Sequence, residues 1–290
     1  MKICIETLER YVQECCTRTR EECFTWLEEH HGFTIIGSGD ERFAIRLGSV
    51  PIVGVCHVDT VLADVAYKYN AKDKTVSSTE LDDRLGLACW LYLSDCHNIS
   101  PTIVCCDNEE VGQSTGDYAA DYIREHNIPC NWIIELDRRG TDVVSYDYSC
   151  PLWDNLLGQF FLAVGQGSFS DVSRMEALGV KGCNVAIGYY SEHTKRCHAK
   201  LDETADQLER VCAMIDSLAA LKMVWKEDSA PESPFDFYRD SYRYPNADEQ
   251  CACCFDYFDS RDLDNYLGSR CCYDCIEDIK TEQSASGYTR

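Results

Sequence analysis

Two histidines and a set of carboxylates carry the chemistry that this chain could perform. They sit in five short motifs: CHVDT with His57 and Asp59, LDDRLG with Asp82 and Asp83, DNEEVG with Glu109 and Glu110, ELDRRGTD with Asp137, and YYSEHT with His193. Each motif alone has an ordinary structural use, since Asp82 could cap a helix and a Glu pair suits any acidic surface. Together they supply imidazole nitrogens and carboxylate oxygens, the ligand mixture that zinc takes. Two zinc ions about 3.5–4 Å apart need one carboxylate between them, and each needs a histidine and a further carboxylate. One more carboxylate, free of metal, must take a proton from the attacking water and deliver it to a leaving amine. The five motifs hold that set. His198 lies close enough to His193 to compete for the last place; His193 is preferred because it directly follows an apolar run.

The elements around these motifs explain how they could meet. PIVGVC at 51–56, PTIVCC at 101–106, NWIIEL at 131–136 and CNVAIGYY at 183–190 are continuous apolar runs, as expected of strands buried on both faces. FTIIGS at 33–38 and RFAIRLG at 42–48 read as further strands. Helical spacing predicts two helices within 4–30 and others over 84–95, 115–126, 171–178 and 201–224. Alternation of this kind predicts an α/β three-layer sandwich around a mixed, mostly parallel sheet. In such sheets ligands bind beyond the carboxyl ends of the strands, and nearly every candidate ligand follows a strand.

The order HxD, DD, EE, D, H resembles the dinuclear zinc exopeptidase superfamily. That group includes leucyl-type and tetrahedral aminopeptidases, glutamate carboxypeptidase-like dipeptidases and acylamino-acid deacylases. LDDRLG and DNEEVG are most similar to the aminopeptidase branches, and the resemblance spans roughly residues 30–225. It implies that His57 and Asp137 bind one zinc, that Glu110 and His193 bind the second, and that Asp82 bridges them. It implies that Glu109 is the general base and acid and that Asp59 orients His57. It also implies a cis peptide between Asp82 and Asp83 and, in vitro, activity with cobalt or manganese in place of zinc. Relatives carry a Glu shortly after the last histidine; here none occurs before Asp202 and Glu203. GQGSFSDV, at 165–172, resembles the glycine-containing substrate-pocket loop of relatives. Lid domains in the family are inserted between the first histidine and the bridging Asp, or between the metal Asp and the last histidine. Those gaps are 25 and 56 residues here, so a single catalytic domain over 1–225 without a lid is expected.

The character changes after residue 225. Residues 226–250 are rich in turn formers and read as a linker. In 251–290, Cys251-x2-Cys254 is followed after 17 residues by Cys272-x2-Cys275, the spacing of a zinc ribbon closed by four thiolates. Cys253 and Cys271 are spares that make the register ambiguous. The intervening FDYFDSRDLDNY is acidic, which favours a stabilising role or docking of a protein partner over nucleic-acid binding.

Composition sets the outer limits. Of 290 residues, 45% are hydrophobic and 27% charged, as in ordinary globular chains. The net charge of −23 repels phosphates and argues against nucleic-acid partners. No run of 18 apolar residues predicts a membrane span. The start, MKICIETLERYVQECC, reads as an amphipathic helix bearing Glu6 and Glu9, unlike a secretory signal. Most of the 20 cysteines stand singly in apolar runs, so a reducing cytoplasm is expected. The expected partners are a peptide or small amide substrate and, for assembly, a second copy of the chain.

Overall fold

The computed structural model describes residues 2–225 except 63, 64, 166 and 168, and beyond them only four short strands. The chain divides into two units, Met1–Lys226 and Glu227–Arg290. In the second, Glu249–Gln250 pairs with Tyr257–Phe258, and Leu263–Tyr266 pairs with Ser269–Cys272, both antiparallel. Cys251, Cys254 and Cys275, with most of the expected linker, lie outside the described residues; Cys272 is described only as the end of its strand.

The apolar runs of the first unit become its sheet. In chain order the elements are α1 (Ile5–Cys16), α2 (Arg20–His31), β1 (Thr34–Ile36), β2 (Phe43–Arg46), β3 (Val50–His57), β4 (Tyr67–Asn70) and β5 (Thr75–Ser78). Then come α3 (Leu81–His97), β6 (Pro101–Cys106), α4 (Gly116–Glu125), β7 (Ile133–Glu135), β8 (Val143–Val144), α5 (Pro151–Phe160) and β9 (Val164–Gly165). The last are β10 (Gly182–Val185), β11 (Tyr189–Tyr190), β12 (His198–Lys200) and α6 (Leu201–Leu218). Eight strands form one sheet in the order β1-β2-β6-β3-β7-β10-β8-β9. Its centre, β6-β3-β7-β10, is parallel, while β1, β2 and β8 join antiparallel. The sheet is therefore mixed, with parallel pairing confined to its middle and to the β8-β9 edge.

Helical elements cover both faces. On β3, Gly54 lies under the Trp90 ring of α3, and a Cβ there would sit 2.8 Å from the indole. Trp90, fully buried, also donates its indole N–H to the Val55 carbonyl at 3.0 Å. Neighbouring β3 residues point the other way, and Val55 pairs with Glu135 of β7. Glu135 accepts from the Val172 N–H at 3.2 Å, so the segment at 171–174 covers the opposite face. Gly54→Ala is expected to cost about 1–3 kcal/mol, the usual range for overpacking a filled core. A denaturant midpoint equal to the wild type would contradict this packing of α3.

Local rules account for several element ends. Thr19 and Glu22 form a reciprocal capping box at the start of α2. Three expectations need correction. The helix expected over 171–178 is two separate 3-10 turns, Asp171–Arg174 and Glu176–Leu178. The run CNVAIGYY is split: its first half is β10, and Gly188, at φ 82°, turns β11 into a second sheet. The last helix ends at Leu218. That second sheet, β11-β12-β5-β4, was not legible in the sequence; it draws on the stretch between His57 and Asp82. Among the described residues no helix is long and apolar enough to cross a membrane.

Candidate metal centre

His57 is the last residue of β3 and is fully buried. Its Nδ1 faces the Asp59 backbone carbonyl at 2.9 Å. A carbonyl can only accept, so Nδ1 carries the hydrogen, and in the neutral ring Nε2 holds the lone pair. That Nε2 has no hydrogen-bond partner. Around it stand Asp82 Oδ1 at 3.4 Å, Asp137 Oδ2 at 3.7 Å and Glu109 Oε2 at 3.9 Å. The Asp59 carboxylate is farther from Nδ1, at 3.5 Å, and has another task. It accepts the Glu109 and Glu110 N–H groups at 3.2 and 3.1 Å, tying the loop after β6 to the loop after β3.

Asp82 lies at the non-helical entry to α3, and the Asp82–Asp83 peptide is cis. Its two oxygens face two different histidines. Oδ1 looks toward His57, and Oδ2 is 3.0 Å from His193 Nε2. Asp83, wholly buried, turns away and accepts the Gly86 N–H at 3.0 Å and the His57 N–H at 3.4 Å. Glu109 and Glu110 form a single 3-10 turn between Asn108 and Gly112, both with positive φ. The turn splays the pair. Glu109 reaches toward His57, whereas Glu110 Oε2 lies 2.9 Å from His193 Nε2.

His193 has a positive φ of 58° in the turn after β11. His198 sits on β12, with Nδ1 on the Arg196 carbonyl at 3.0 Å and its ring stacked on Tyr190. The geometry thus brings His193, not His198, to Asp82 and Glu110. One atom from each of His57, Asp82 and Glu110 can be chosen so that all lie within 4.8 Å of one another, as ligands of one metal region would.

Three further residues build the site without having stood out in the sequence. The Tyr189 hydroxyl donates to Asp137 Oδ1 at 2.9 Å and lies 3.4 Å from Asp82 Oδ1. Asn184 clamps Asp137 from both sides, accepting its N–H at 3.0 Å and donating to its carbonyl at 2.7 Å. Glu135, fully buried, accepts from the Ser170 hydroxyl and the Val172 N–H and so fixes the segment from Ser170 to Val172 beside the site. Gln166 and Ser168 of GQGSFSDV lie outside the described residues. Tyr189 and Asn184 belong to an apolar run, where hydroxyl and amide groups are the detectable exception.

The electrostatics of the donor set favour cations. Burial raises the Glu110 carboxyl to about 7, with Asp82 adding to the effect. Burial also raises Glu109 and Asp137, the latter further through Asp82. Burial works against a charged His57, yet Asp137 and the other nearby carboxylates hold its pKa well above the ordinary value. The hydrogen bond to Asp82 lifts His193 to about 9. Nε2 of His57 and Oε1 of Glu110 are buried without hydrogen-bond partners among the described residues. With His193 raised to about 9, metal binding there must expel a proton at pH 7, and affinity must rise with pH up to about 9. Titration calorimetry with zinc in buffers of different ionisation enthalpy is expected to show release of about one proton or more per chain. Heats independent of the buffer would contradict this charge state.

No family model and no curated protein matches the sequence. Solved structures do match in three dimensions. Aminopeptidase PepT from Bacillus cereus is 13% identical, with a TM-score of 0.57 over 75% of this chain and 99% of that one. A tripeptidase from Staphylococcus aureus is 11% identical, with a TM-score of 0.58 over 76% and 100%. The TET aminopeptidase of a marine-sediment Thaumarchaeota archaeon is 10% identical, with a TM-score of 0.56 over 73% and 97%. Identities this low speak to architecture alone, and the architecture is clear: the chain has the α/β fold of these peptidases, the fold that the order of its motifs implies.

Proposed function

We propose that this chain is a zinc-dependent peptidase, an aminopeptidase or dipeptidase that cleaves a peptide bond with two metal ions in one site. The observation that carries the proposal is the placement of Asp82, whose two carboxylate oxygens face His57 on one side and His193 on the other. His57 and Asp137 would hold one ion, Glu110 and His193 the other, with Asp82 shared between them. When bound, the metal pair polarises the scissile carbonyl and makes water nucleophilic at neutral pH.

The chain's own groups perform the rest. Glu109 stands at the edge of the ring of ligands, and burial raises its carboxyl. A raised carboxyl is a better proton acceptor, so Glu109 takes the proton from the attacking water and passes it to the leaving amine. Asp59 holds Glu109 and Glu110 in register through their N–H groups, and its carbonyl fixes the His57 tautomer. Tyr189 and Asn184 fix Asp137. A reducing cytoplasm is the setting in which the fourteen cysteines described in the first unit, all free thiols, would stay reduced.

The test is an activity screen of the full chain loaded with zinc, and separately with cobalt, against aminoacyl, dipeptide and N-acyl amino acid substrates. Chelator-sensitive cleavage of aminoacyl or dipeptide substrates is the expected result. Cleavage of N-acyl amino acids alone would make it a deacylase, and no cleavage by metal-loaded protein would remove the enzymatic reading.

A further inference from the structure

A cavity of about 410 Å³ opens beside the metal centre and has Asp59 and Glu110 in its wall. Its mouth is apolar. Val61, Val65 and Val111 line it and are 49%, 40% and 68% exposed, aliphatic surface left to solvent around one opening. Among the described lining residues, Arg20 is the only cation. Its Nη2 is anchored to buried Asp107 at 2.6 Å and to Asn108 Oδ1 at 2.9 Å. Its Nη1 makes no hydrogen bond among the described residues, and the side chain is 39% exposed. The guanidinium is thus held in place with donors to spare.

Of the three lining acids, Asp59 accepts two backbone N–H groups, Glu80 accepts from the Thr60 hydroxyl at 3.0 Å, and Glu110 faces His193 in the metal centre at 2.9 Å. Asn108, Glu110 and Val111 in its wall are the chain neighbours of Glu109, the group assigned to hand the proton to the leaving amine, whose own side chain turns toward His57.

Resting on the peptidase reading, we propose that the cavity receives the leaving residue, with Arg20 binding its carboxylate and the valines packing its side chain. An apolar mouth suits an aliphatic side chain, so the carboxylate is the free chain terminus rather than an acidic side chain. A cavity of this size holds about one residue, which makes dipeptides with an aliphatic second residue the preferred substrates.

The experiment compares kcat/KM of the zinc-loaded full chain on Leu-Val, Leu-Val amide and Leu-Glu amide. Wild type is expected to favour Leu-Val over its amide by about 10- to 100-fold, the worth of a hydrogen-bonded charge. Arg20→Ala should bring that ratio close to one, and Arg20→Lys should restore part of it. Because the ratio is taken within one sample, a loss of folded protein cancels. An unchanged ratio in Arg20→Ala, or equal cleavage of acid and amide by wild type, overturns the inference while the peptidase reading stands. Leu-Glu amide cleaved as fast as Leu-Val overturns the assignment to the chain terminus. Failure to cleave any peptide overturns the peptidase reading and this inference with it.

Discussion

Glu109→Gln is expected to lower turnover by about 10²–10⁴-fold while leaving metal content near that of the wild type. The amide keeps the size of the side chain and removes the base. Glu109 is the outermost of the groups around His57 Nε2, at 3.9 Å, so its loss should not empty the site. Glu110→Gln should behave differently. Its carboxylate is 2.9 Å from His193 Nε2, and a neutral amide is a poor zinc ligand, so one ion should bind weakly. Steady-state kinetics and elemental analysis on both variants decide between the roles. Metal lost from Glu109→Gln and kept in Glu110→Gln would reverse them. Full activity of Glu109→Gln would rule out the proposed proton path.

Asp82→Asn should have a still larger effect on metal binding, because both ions depend on this carboxylate. Its oxygens face His57 and His193, and the asparagine leaves only one of them. The other becomes an N–H donor pointed at a histidine and at the place of a cation. Zinc titrated calorimetrically into the variant should show neither tight site, where Glu110→Gln still shows one. Circular dichroism establishes that the variant is folded. Two tight sites retained in Asp82→Asn would remove the bridging role.

Much of this could be read from residue types alone. His57, Glu109, Glu110 and Asp137 follow β3, β6 and β7, whose parallel pairing places those ends together, while Asp82 at the entry to α3 and His193 after β11 follow strands of the second sheet. The four buried strands announce themselves by unbroken apolar runs. What stayed hidden depends on contacts distant in sequence. Tyr189 and Asn184 support Asp137 across more than forty residues, at separations of 52 and 47. The four-stranded sheet joins β5 to β12, and its short strands lack the periodicity that would mark them. The position of Arg20 could not be foreseen, because its partners Asp107 and Asn108 lie 88 residues or so along the chain. Gly188 hid the division of CNVAIGYY, since a glycine within an apolar run does not say whether it bends.

The most direct test of the dinuclear reading is anomalous diffraction at the zinc edge from crystals of the zinc-loaded chain. Two anomalous peaks are predicted on either side of Asp82, one beside His57 Nε2 and Asp137, the other beside Glu110 and His193. Zinc-loaded crystals with no peak between these side chains, or with a single ion that leaves one of the two histidines without a metal, would contradict it.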